Sequence, residues 1–272
     1  MNNWLSDFMT LFSSDMEDAY RFKHLHIPQK LYKYQSLSER NIDSLKNNKV
    51  WFSNPKNLND PFDCSALYYD EEFLLNKLSN KNVFGIANSN DIKASLRFIQ
   101  RMTKITCFTE NPFNMPMWAH YGDNHKGICV EYDLTQLPFE SKLSRGLYPV
   151  KYENKRYDGT NILKMIYEND SVSSAMLFYT MLFKHQSWSY EKEWRIILMG
   201  DDGKGGLEDF PIKPTGIYFG LNTNRAQVKN VMSILDDDIK INRLRMQNDE
   251  YFNLESYEWE QKGKKRKKHK DR

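Results

Sequence analysis

Ser187–Leu198, SWSYEKEWRIIL, is the stretch on which the reading of this chain turns. Read as a strand, it puts Trp188, Tyr190, Trp194, Ile196 and Leu198 on one face, interrupted only by Lys192. Glu191, Glu193 and Arg195 fall on the other. The first face is predicted to be core. The second carries a charge about every 7 Å, since a strand rises roughly 3.3 Å per residue. Two like charges so close cost free energy unless something neutralises or uses them. One reading is an exposed face with a screened ion pair, worth under about 1 kcal/mol. The other is a sheltered row, suggested by Trp194 beside Glu193, in which the carboxylates do chemistry.

Upstream, LYKYQSL and KVWFS read as short strands around SERNIDSLKNN, a helix that Ser38 can cap. NPKNLNDPFDC is an ordered loop rich in turn-formers. Residues 70–101 are helical with a break near NKNVFGIANSN. TKITCFTE and ICVEYD are strands flanking the loop or short helix NPFNMPMWAHYGDNHKG. Residues 162–185 are expected to be mostly helix, with Met176, Tyr179, Leu182 and Phe183 as its apolar face. Downstream lie a hairpin-like Gly/Asp loop (200–206, within a loop reaching Asp209) and the strand GIYFG. A helix over NTNRAQVKNVMSIL, capped by Asn222 or Thr223, follows, and the closing strand IKINRLRM. At the N-terminus, Trp4, Leu5, Phe8, Met9 and Phe12 form one apolar stripe, and SDME has the spacing of a capping box for a second helix.

Short strands separated by helices, out of βαβ rhythm, predict an α+β fold with mixed or antiparallel sheets and flanking helices. The expected division is a helical arm at 1–28, a single α+β domain at 29–250 and a C-terminal segment at 251–272. The chain has 272 residues, 40% hydrophobic and 14% aromatic, which fits a folded protein. It has no apolar run near the length of a membrane span and no basic leader at its start, so a cytoplasmic protein is expected. Three cysteines without metal-type spacing agree with a reducing compartment. The net charge of +3 hides a division, because the last twelve residues carry eight Lys/Arg and one Asp. Such a block is expected to be a disordered tail able to bind nucleic acid nonspecifically.

Chemistry has few addresses. Asn59, Asp60 and Asp63 in NDPFD either bond back to their own loop or present carboxylates to a ligand. Trp118–Gly127, WAHYGDNHKG, is either an ordinary loop with a half-buried Trp or an aromatic wall of Trp118 and Tyr121 with His120 as a donor. His120 and His125 lack a metal-ligand spacing, and no metal is expected. There is no phosphate-binding glycine loop and no nucleophile elbow.

In order along the chain, LYKY (31–34), NDPFD (59–63), WAHY (118–121) and EWRI (193–196) resemble a widespread bacterial family of unknown function. More distantly, the pattern is similar to the ADP-ribosyltransferase superfamily, whose members bind NAD in a cleft between two small antiparallel sheets. That resemblance implies Tyr32 and Lys33 at the first-strand position, where those enzymes usually carry Arg or His. It implies Tyr121 as the middle aromatic and Glu191-x-Glu193 as the catalytic element. Glu193 would hold the ribose hydroxyls and stabilise positive charge as the nicotinamide–ribose bond breaks. Glu191 would orient or deprotonate a macromolecular acceptor. Arg195 would keep both ionised or meet a pyrophosphate. NAD is thus the expected co-substrate, in a toxin or phage-defence effector. Two alternatives stand beside it. One is a non-catalytic ligand- or protein-binding module with both glutamates satisfied by Arg195 or a lysine and no room for a dinucleotide. The other is a nucleic-acid-binding protein or nuclease built on the basic tail, His120 and Asp123.

Overall fold

The computed structural model describes residues 3–65, 67–78, 89–161, 163–164, 181–200 and 204–259. Strands and helices alternate as α1 (Asn3–Ser14), α2 (Met16–His24), β1 (Leu31–Gln35), α3 (Glu39–Lys46), β2 (Lys49–Phe52), β3 (Leu67–Tyr68), α4 (Glu71–Leu78) and α5 (Ser89–Arg101). Then follow β4 (Thr103–Thr109), α6 (Met115–His120), β5 (Ile128–Tyr132), α7 (Lys142–Arg145), β6 (Leu147–Pro149), β7 (Lys151–Glu153) and β8 (Tyr157–Asp158). The chain continues with β9 (Phe183–His185), β10 (Glu193–Met199), β11 (Gly206–Asp209), β12 (Gly216–Phe219), a helix at Arg225–Met232, β13 (Lys240–Met246) and β14 (Leu254–Glu258).

An eight-stranded sheet in the order β14-β13-β12-β5-β1-β4-β10-β6 is the frame. Its pairs are antiparallel except β12 with β13, so the fold is α+β with a mixed sheet. Both faces are covered. On one, Val130, Ile128, Ile217, Phe108, Trp194 and Ile196 pack with Phe52, Leu45, Val228 and Phe210. On the other lie two separate apolar patches. Phe8, Phe12 and Ala19 of the N-terminal helices cover Ile105 and Ile197, while Met117 and Trp118 of α6 cover Tyr32, Tyr34, Cys129 and Tyr218. The N-terminal arm therefore docks on the sheet through its apolar stripe. The buried Lys23 ties it down by donating to the carbonyls of Ser144 and Arg145, at 2.9 Å each. No helix among the described residues is long and apolar enough to cross a membrane.

Several boundaries differ from expectation for local reasons. Asp15, not Ser14, caps α2, because Ser14 still belongs to α1 and turns its hydroxyl back to Leu11. Asn224, not Asn222 or Thr223, caps the helix at Arg225–Met232 in a full capping box with Gln227, while Thr223 is held by the Gly127 carbonyl. Phe183–His185 is strand β9, paired with β7, and not the end of a helix. Met176 and Tyr179 lie outside the described residues. Gly206–Asp209 is a strand pairing with β2, so no hairpin returns onto β10. The sheet also runs one strand past β13, because β14 pairs with it. The basic tail lies outside the described residues.

One break in the sheet matters most. β1 and β4 share a single register pair, Tyr32↔Thr109. Beyond it the two strands part, and β4 bonds at Ile105 to Ser53 instead, through two 2.8 Å backbone hydrogen bonds. A cleft opens in that gap.

Candidate functional site

The stretch Gln186–Glu191 is not strand. It is a 3-10 helix that ends on Lys192 in the left-handed conformation, with φ 44 and ψ 54. The tight turn swings Glu191 back beside Glu193, the first residue of β10, so the two carboxylates meet without lying along one strand. Trp188 and Tyr190 accordingly sit half-buried off the sheet, and only Trp194, Ile196 and Leu198 form the core face. Glu191 and Glu193 are both buried. An exposed, screened ion pair is ruled out.

What holds them is a cluster of three carboxylates, Asp63, Glu191 and Glu193, around two cations, Lys184 and Arg195. Arg195, with 0% exposure, donates from Nε to Glu193 Oε1 at 2.7 Å and from Nη2 to Glu193 Oε2 at 2.9 Å. Its Nη1 reaches Asp63 Oδ1 at 2.7 Å and the Met181 carbonyl at 2.6 Å. Lys184 sits among all three acids. It bonds Glu191 Oε2 closely, Glu193 Oε2 at 3.1 Å and Asp63 Oδ2 at 3.4 Å. Two further groups finish the frame. Tyr121 donates to Glu191 Oε1 at 2.7 Å and accepts from Asn59 Nδ2 at 2.9 Å. The Glu193 N–H donates to the Tyr152 hydroxyl at 2.8 Å.

With three acids to two cations, the glutamates diverge. Burial pushes Glu193 up, but Arg195 and then Lys184 outweigh it and hold the carboxyl well below its usual range. Burial and the neighbouring Glu193 charge raise Glu191, with only partial relief from Lys184 and Tyr121. Lys184 is pushed above its ordinary value because the charges of Glu193 and Asp63 outweigh its burial. Glu193 is thus held as an anion, while Glu191 takes up a proton more readily than a free carboxylate.

The cleft between β1 and β4 holds ≈ 350 Å³ and opens onto this cluster, within the range of roughly 300–1,000 Å³ typical of small-molecule sites. Tyr32, Lys33, Asn59, Asp63, Tyr121, Glu191 and Glu193 all line it. Lys33 spans the gap, donating from Nζ to Thr106 Oγ1 at 2.8 Å and to the Cys107 carbonyl at 3.1 Å, and burial lowers its pKa. Burial followed by the Glu131 charge pushes the Tyr32 hydroxyl up to about 12.

Other expected residues stand elsewhere. Trp118 is fully buried, stacks edge-on to Tyr34 and donates to the Pro112 carbonyl at 2.8 Å, so it is core and no wall of the cleft. His120 is exposed at the end of α6, outside the cleft lining. Asp60 accepts from the Phe62 N–H at 2.9 Å and shapes its own loop. Arg195 lies beneath the cleft as scaffold, outside its lining. Lys184, the cation common to the three acids, is not singled out by the sequence, because its short strand reads as the end of a helix. The one signal pointing to it is electrostatic: Arg195 alone cannot neutralise three buried carboxylates.

Fold and site together define an α+β protein with a split-sheet cleft over a buried carboxylate pair. Residues 117–196 match the family model described as "Protein of unknown function (DUF2971)". The matched segment includes Tyr121, Lys184, Glu191, Glu193 and Arg195, while β1 and the NDPFD loop lie outside it. No curated protein and no solved structure gives a significant match.

Proposed function

We propose that the protein is an NAD-consuming, ADP-ribosyltransferase-like enzyme acting in the cytoplasm, as a toxin or phage-defence effector. The observation that carries the reading is convergence. The Tyr32–Lys33 pair, Tyr121 and the two glutamates come from distant parts of the chain and meet in one cleft. Packing alone gives no reason for polar groups so far apart in sequence to surround an opening.

The split of the two carboxylates supplies the roles. Cleaving the nicotinamide–ribose bond builds positive charge on the ribose, and a fixed anion facing it lowers that barrier. Glu193, kept ionised by Arg195 and Lys184, fits this task. Glu191, whose pKa is raised and whose other contact is the Tyr121 hydroxyl, fits proton transfer to or from an acceptor. A pair whose environments push its pKa values apart is the usual arrangement for dividing these duties.

One observation favours a second reading, a non-catalytic ligand-binding module. Both oxygens of Glu193 are already bonded to Arg195 and Lys184, as a purely structural ion cluster would have them. Nicotinamide release from NAD separates the two. The enzymatic reading expects turnover by the wild type, a loss of roughly 10²–10³-fold in Glu193→Gln and an altered pH–rate profile in Glu191→Gln. A wild type that binds nucleotides without turnover supports the module, and one that neither binds nor consumes NAD overturns the enzyme.

A further inference from the structure

The end of the cleft away from the glutamates is furnished with hydrogen-bond donors, one of them buried without an acceptor and one, Arg40, exposed to solvent. Gln35, the last residue of β1, lines the cleft, and its Nε2 is buried without a hydrogen-bond partner. Burying an amide donor with nothing to receive it is unfavourable, and native folds seldom keep one without a reason. Lys33 lies two residues before it on the same face of β1. Its ammonium uses Thr106 Oγ1 and the Cys107 carbonyl, leaving one of its three N–H groups. Arg40, from the first turn of α3, also lines the cleft. Its guanidinium rests 4.3 Å from the Trp51 ring centroid, and no carboxylate among the described residues pairs with it. An amide, an ammonium and a guanidinium around one opening make a set suited to an oxyanion with several acceptor oxygens.

The two ends of the cleft therefore differ in sign. Tyr32 is level with Glu193 through Thr109. Gln35 lies three residues further along β1, about 10 Å along the strand from Tyr32, and alternation turns it to the other face of the sheet, so the cleft, lined from both faces, joins the two ends through the β1–β4 gap. We infer that the Gln35 end is a phosphate subsite. Gln35, Arg40 and Lys33 receive the phosphate oxygens of a nucleotide whose ribose faces Glu191 and Glu193. The orientation rests on the function proposed above. The phosphate subsite itself needs only the donors, so a ligand with no cleavable bond can probe it.

Calorimetry on the full chain with ADP-ribose and with inorganic pyrophosphate provides the test. Wild type is expected to bind ADP-ribose, with pyrophosphate competing. Gln35→Leu is expected to weaken ADP-ribose about tenfold, and Arg40→Met by about ten- to a hundredfold, with Arg40→Lys recovering part of the loss. The melting temperature of ligand-free Gln35→Leu should hold or rise, since an unpaired donor has been removed. A fall would mean that the amide serves the fold. Failure of the wild type to bind either probe, or wild-type ADP-ribose affinity in both variants, overturns the subsite. Nicotinamide release judges the enzyme separately. Binding through Gln35 and Arg40 without turnover keeps the subsite and removes the enzyme, and turnover with indifferent variants does the reverse.

Discussion

Glu131 and Glu193 stand in one cross-strand row of the main sheet, Glu131–Tyr32–Thr109–Glu193, on the same face and nearly equally buried. Their surroundings have little in common. Glu131 accepts from the Tyr218 hydroxyl at 3.0 Å and the Thr215 hydroxyl at 2.9 Å, with the half-exposed Lys30 at 3.1 Å. Most of these partners are neutral and lie on adjoining strands or their ends. Glu193 is gripped by two cations, Lys184 and Arg195, shares them with two other carboxylates, and faces a cleft. Neutral partners satisfy a buried acid locally and leave it inert. Crowded charges fix an anion where a ligand can meet it, at a desolvation cost that structure alone does not require.

This contrast is easiest to break at Arg195. Arg195→Met leaves Glu193 and Asp63 buried beside a single lysine, and urea unfolding should register a loss of about 3–5 kcal/mol. Next comes pH. A depressed carboxyl contributes stability above the unfolded carboxylate value, near about 4.3, and loses it as pH falls through the folded value. Glu193→Gln should therefore destabilise at neutral pH, with the gap to wild type closing in acid. For Glu191 the sign reverses. Its raised pKa gives a contribution that is full below the unfolded value and lost as pH rises through the folded one. Glu191→Gln should not destabilise at neutral pH, and its standing relative to wild type should improve from acid to neutral. Thermal melts from about pH 2 to about pH 8 decide, because the Glu193 gap closes only below about 4.3, and equal losses at neutral pH would end the division of roles. The smallest effect belongs to the other end of the row. Glu131→Gln keeps the shape and most hydrogen bonds, so it should cost about 1 kcal/mol and leave ligand binding unchanged.

Much of the frame was legible because short strands declare themselves by β-branched and aromatic residues. Leu31–Gln35, Thr103–Thr109 and Ile128–Tyr132 all form where their composition indicates. The pair Glu191 and Glu193 was legible as a feature but not as a geometry. Alternation assumes extended backbone, and a left-handed Lys192 between them breaks it. Lys184 was illegible because its three-residue strand gains stability from pairing with β7, not from any local pattern. Trp118 misled in the opposite sense. Its motif stands out in sequence, yet its indole closes a core patch under α6. The β1–β4 gap had no signature at all, since it depends on β4 changing partners from Tyr32 to Ser53.

The most direct test is a crystal structure of Glu193→Gln with NAD, where slowed cleavage lets the ligand persist. NAD is expected in the cleft between β1 and β4, with the ribose joined to nicotinamide against residues 191 and 193 and phosphate oxygens at Gln35 and Arg40. An empty cleft at saturating NAD, or NAD bound elsewhere on the protein, would contradict it.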